Sequence, residues 1–118
     1  MDIPQDMKEY IDLDAGLGRV RGNKMIYGKM LGMFTGSGEF DALEAALAAG
    51  DWAKVSEVAH GIKGMTGNLG FTKLFDTSTE LMVKAREGQP DDALVAAYRD
   101  ALEKTREYVK IAEEQMKA

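Results

Sequence analysis

No cysteine occurs in the 118 residues, which removes disulfides, thiolate catalysis and a cysteine-based zinc site at once. Histidine is almost as scarce, with His60 the only one. A metal site would therefore have to be built from carboxylates, and no spacing of Asp and Glu in this chain proposes one. Long apolar runs are missing too. The first residues, Met1-Asp2-Ile3-Pro4-Gln5-Asp6, carry neither the positive charge nor the apolar run of a signal peptide, and no stretch approaches the length of a membrane span. These absences predict a cytoplasmic protein that does not engage a membrane. With 15 basic and 20 acidic side chains the formal net charge is -5, and no cluster of Lys or Arg could track a phosphate backbone, so nucleic acid is excluded as a partner. Alternating β-branched segments are absent as well, which argues against a sheet.

What the chain does have is helical periodicity. Apolar residues make up 45% of it and charged ones 30%, enough to bury a core in one domain over residues 1–118 and too little chain for a second, catalytic domain. The clearest helix runs from about Pro90 to Lys117, with Asp91 and Asp92 at its electropositive start and a stripe of Leu94, Ala97, Tyr98, Ala101, Leu102, Thr105, Val109, Ala112 and Met116. Another spans Thr72 to Glu87 and is closed by Gly88, with Leu74, Phe75, Ser78, Leu81, Met82 and Ala85 facing inward. Gly50 ends a helix carrying Phe40, Leu43, Ala46 and Leu47, and Asp51 caps the next, which lasts to about Asn68. A further helix starts at Asn23, points Ile26, Tyr27, Met30, Leu31 and Phe34 inward, and stops in Thr35-Gly36-Ser37-Gly38. Leu13, Leu17 and Val20 mark a short N-terminal one. Short connections between long amphipathic helices predict an all-α fold, an antiparallel up-down four-helix bundle with one or two short additional N-terminal helices.

His60 lies on the fourth of these segments. At about 100° per residue, Val55, Val58, Ile62, Met65 and Leu69 gather within roughly 40° of the pole opposite His60, so the imidazole faces solvent. Lys63 falls about 60° to one side, Gly64 about 40° to the other, and Gly67 nearly in line. Interior helical glycines cost on the order of 1 kcal/mol each relative to alanine, and this helix carries Gly61, Gly64 and Gly67. Bare backbone beside the ring would give a partner protein clearance to bring up a reacting atom. Imidazole offers a nucleophilic nitrogen near neutral pH, and an ammonium one turn away can balance an anionic group placed on it. Ser56, Glu57, Gly61 and Gly67 are expected to extend the contact surface, with Met30 and Phe34 of a neighbouring helix at its border.

The run His60-Gly61-Ile62-Lys63-Gly64-Met65-Thr66-Gly67-Asn68-Leu69-Gly70 resembles the signature of histidine-containing phosphotransfer (HPt) domains of two-component phosphorelays. Leu17, Arg19, Gly22, Asn23 and Tyr27, followed by Ala48-Ala49-Gly50-Asp51-Trp52, resemble that family's lead-in to the active helix. The resemblance implies a four-helix bundle whose histidine exchanges a phosphoryl group with the aspartate of a response-regulator receiver domain. It makes His60 the phosphoacceptor, Lys63 the charge partner of the phosphoryl group and Gly64 the clearance for the receiver. It implies no kinase or ATPase activity and no cofactor or metal in this chain, since the magnesium ion of such transfers belongs to the receiver. A sensor or hybrid histidine kinase is the other expected partner, and the protein is expected to be a monomer. Gly61 departs from the larger residue that commonly follows the family's histidine. It also differs from the acidic residue found there in kinase dimerisation domains, and Gly36-Ser37-Gly38 has no nucleotide-binding continuation. Met1 and the linker-free end at Ala118 favour a free-standing protein over an excised piece of a kinase. The competing reading is a helical adaptor that docks without chemistry, for which the eight methionines would supply a plastic surface.

Overall fold

Capping chemistry sets the helix boundaries in the computed structural model, which describes residues 3–117. The elements are α1 (Met7–Tyr10), α2 (Leu13–Gly18), α3 (Lys24–Thr35), α4 (Glu39–Ala49), α5 (Trp52–Leu69), α6 (Thr72–Glu87) and α7 (Asp92–Lys117), with no strand among the described residues. Side-chain oxygens of Asp12, Asn23, Asp51 and Asp91 accept hydrogen bonds from the backbone N–H three residues on, each opening a helix. Gly50 and Gly70, both left-handed, close α4 and α5. The fold is all-α, and two short N-terminal helices precede α3; Val20 lies in the turn after α2 rather than within it.

The long helices close on one another: α5 packs on α6, α6 on α7, α7 on α3 and α3 on α5, while α4 lies against α5. With 26 residues, α7 is about 39 Å long and spans most of the 44 Å long axis of the molecule. The enclosed core holds Tyr27, Leu31, Phe34, Phe40, Val55, Ile62, Leu74, Leu81 and Tyr98, all almost fully buried. The ring of Phe34 meets Phe40 and Phe71 edge-on at centroid distances of 5.2 and 4.8 Å. On α3 the buried seam is Tyr27, Leu31 and Phe34 alone. Ile26, expected inward, is 45% exposed while Met30 is partly buried against the core, and Ala97 of the α7 stripe is exposed as well.

The N-terminal segment is tied to the end of α5. Asp12 N–H donates to the Gly70 carbonyl at 2.7 Å, the Tyr27 hydroxyl donates to the Leu69 carbonyl at 2.7 Å, and the Thr72 hydroxyl donates to the Glu9 carbonyl at 2.7 Å. Two glycines permit this approach. A Cβ on Gly16 would lie 2.5 Å from the Tyr27 ring, and one on Gly70, where φ is +80°, would collide with the Asp12 carbonyl. The glycine ten positions past the histidine is therefore the seat of the N-terminal segment, and that seat carries Arg19 towards the His60 face.

Candidate functional site on the solvent face of α5

Two residues, Gly70 and Phe71, join α5 to α6, and the two helices run antiparallel with a register that three contacts fix. Arg86 Nε donates to Ser56 Oγ at 3.1 Å, His60 Nδ1 lies 3.4 Å from Met82 Sδ, and a Cβ on Gly67 would meet the Phe75 ring at 3.3 Å. All three pairs are symmetric about Phe71. On the other flank α4 approaches, and a Cβ on Gly61 would meet the Glu39 carboxylate at 2.9 Å. What remains open on α5 is a face of Ala53, Lys54, Glu57, His60, Gly61, Gly64 and Asn68, all exposed, so Gly61 keeps its expected place on the surface although α4 borders it.

This face places His60 in solvent with its imidazole edge against α6, as the periodicity predicted for the ring's direction. Lys63 is half-buried, and Gly64 is exposed with open space where a side chain would go. His60, Lys63, Gly64, Gly67, Arg19 and Phe75 line a shallow depression of about 230 Å³. Neither Lys63 nor Arg19 forms an ion pair with a carboxylate among the described residues, so both charges are available to an incoming anion. Glu57 is exposed and pairs with Lys54 at 3.5 Å.

Three expectations need correction. Ser56 is 8% exposed and held by Arg86, so it is not part of the open surface. It sits only about 40° from His60 on the wheel, but α6 covers that side. Gly67, expected as bare clearance, still lines the depression but is half-buried, and a Cβ there would press on the Phe75 ring. Phe34 is in the core, and neither it nor Met30 lines the depression; Arg19, just past α2, and Phe75 of α6 form the border instead of α3. Three residues of the site had no assigned place there: Arg19, Phe75 and Met82. The signal for Met82 and Phe75 lay in the two-residue connection, since folding the sequence back about Phe71 sets 82 opposite 60 and 75 opposite 67.

No group of three or more acidic or histidine side chains close enough to hold a metal ion occurs among the described residues, and no helix among them is long and apolar enough to cross a membrane. The arrangement is an exposed imidazole on one helix of an all-α assembly, at an open depression that Lys63 and Arg19 also line, rather than an enclosed pocket. The chain belongs to the Hpt domain family, whose pattern matches residues 30–108 and so includes the whole of α5 and α6. No curated protein and no solved structure matches the chain. Hpt domains are phosphotransfer carriers of phosphorelays, and the family assignment gives this chain a role of that kind.

Proposed function

We propose that this protein is a phosphorelay intermediate that accepts a phosphoryl group on His60 and exchanges it with the aspartate of a response-regulator receiver domain. The observation that carries this reading is the position of the lone histidine: exposed, at a depression shared with two cations that form no ion pair among the described residues, on a helix within the family match. The ring of helices α3, α5, α6 and α7 supports the up-down four-helix arrangement as the scaffold of a single domain.

In the forward step the Nε2 lone pair attacks phosphorus, the P–O bond of the aspartyl phosphate breaks, and its electron pair leaves with the carboxylate. Nε2 is the reacting nitrogen because Nδ1 is turned to Met82. Lys63 and Arg19 face the transferred group and offset its charge, while Gly64 leaves space for the receiver's loops. Magnesium is supplied by the receiver, and the chain itself neither binds nucleotide nor hydrolyses it.

The test is mixing with a receiver domain carrying labelled phosphate. Acid-labile, base-stable label should appear on the full chain and be lost in His60→Gln. Transfer that persists in His60→Gln, or no transfer to or from any of a panel of receivers, would overturn the proposal and leave an adaptor that docks without chemistry.

A further inference from the structure

The geometry points to Met82 as the residue that sets the tautomer and orientation of the His60 ring, with its thioether sulfur accepting the Nδ1 proton. This deepens the phosphocarrier reading and rests on it for its catalytic consequence, though not for the contact itself.

An exposed imidazole would ordinarily be held by water, and a free histidine side chain keeps its proton mainly on Nε2. That tautomer places the lone pair on Nδ1, crowded by the ring's own Cβ. In this protein Nδ1 lies 3.4 Å from the Sδ of a methionine that is only 6% exposed. No other hydrogen-bond partner of His60 occurs among the described residues. The sulfur has no proton to donate, so the contact is a hydrogen bond only when Nδ1 carries the proton. It therefore favours the tautomer whose lone pair is on Nε2, directed away from α6 and into the open depression. The antiparallel register that sets residue 82 opposite residue 60 keeps the sulfur in place while the ring is exposed.

The same contact persists through transfer. When Nε2 bonds to phosphorus, the proton stays on Nδ1, the ring gains positive charge and the Nδ1–H becomes a stronger donor. The sulfur lone pair then faces the growing charge, with no change in its own bonding. A thioether is a weak acceptor, so the bias is modest, on the order of three- to fivefold in tautomer ratio and in rate.

The experiment uses the full chain labelled with nitrogen-15. Two-bond proton–nitrogen correlations of His60 report which ring nitrogen is protonated, and phosphorylation is timed with phosphoramidate as donor. Met82→Leu keeps the volume and removes the acceptor, a change cores tolerate. Met82→Gln restores an acceptor through its amide oxygen. The expected result is an Nδ1–H fraction in the parent raised well above that of a free histidine side chain, a fall of about three- to fivefold in the Nδ1–H to Nε2–H ratio in Met82→Leu with a matching loss of rate, and recovery of both in Met82→Gln. An unchanged tautomer in Met82→Leu overturns the assignment, even where label transfer is normal and the phosphocarrier reading stands. Conversely, the expected tautomer shift in a protein that takes no label from phosphoramidate or from receivers upholds Met82 as the positioning residue and rejects the carrier reading. A slower Met82→Leu with no tautomer shift and no rescue by Met82→Gln assigns the loss to packing and also overturns it.

Discussion

Replacing Gly64 with alanine should stabilise the protein while impairing what it does. Gly64 lies in the interior of the 18-residue helix α5, its surface is exposed, and a methyl group there would meet nothing within 4 Å. The substitution thus removes only the backbone entropy cost of glycine, about 1 kcal/mol in an exposed helix interior. With an unfolding entropy of about 2.1 cal/mol/K per residue, a domain of this length should gain about 4 °C in melting temperature. Urea unfolding followed by far-ultraviolet circular dichroism gives the free energy, and a thermal scan gives the shift. Transfer from a phosphorylated receiver should slow, and Gly64→Leu should slow it further with no loss of helical signal, because the added side chain stands where the receiver must approach. The reasoning is refuted if Gly64→Ala lowers stability, since glycine would then be needed by the fold. It is equally refuted if Gly64→Leu transfers at the parental rate.

The two cations should separate from the nucleophile in their effects. Lys63→Ala is expected to slow transfer about tenfold with helicity unchanged, and Arg19→Ala to slow it by a smaller factor; rates equal to the parent's would remove them from the site. Gly70→Ala should destabilise by more than about 2 kcal/mol, because it forces a side chain into the left-handed region against the Asp12 carbonyl. A denaturation midpoint equal to the parent's would contradict that. Finally, the phenol of Tyr27 is pushed up to about 12 by burial and by the Asp12 carboxylate. Its contribution to stability is intact below the unfolded value of about 10 and is lost as pH rises towards 12, a loss of roughly 2–3 kcal/mol at most. Stability of Tyr27→Phe measured across this range should fall less steeply than that of the parent; parallel curves would show that Tyr27 does not govern the alkaline limit.

The direction in which His60 points was legible in the sequence because one helix's apolar stripe fixes its opposite pole, whatever it packs against. The breadth of the exposed strip was not legible, because it depends on how closely the neighbours approach. Ser56 and Gly67 fall within about 40° of His60 on a wheel, yet one is bonded to Arg86 and the other lies under Phe75. Gly64, on the side away from α6, kept its expected openness. Helix ends were legible where a capping Asp or Asn and a terminal glycine mark them, as for α5. The four residues of α1 carry no such periodicity and are held by long-range contacts, among them Thr72 to the Glu9 carbonyl. Ile26 shows the same limit on α3: the stripe could be drawn wider than the face the helix buries.

The seating of the N-terminal segment on the end of α5 has a consequence for where this protein can be cut. The family pattern begins at residue 30, but the Leu69 and Gly70 carbonyls and the Thr72 hydroxyl all bond to residues before it. A fragment trimmed to the recognisable stretch would begin midway through α3, discard Arg19 and strip the α5–α6 turn of these three partners. It would retain the whole run from His60 to Gly70 while unfastening the turn that keeps His60 opposite Met82. The recognisable pattern is thus shorter than the cooperative unit that makes it work.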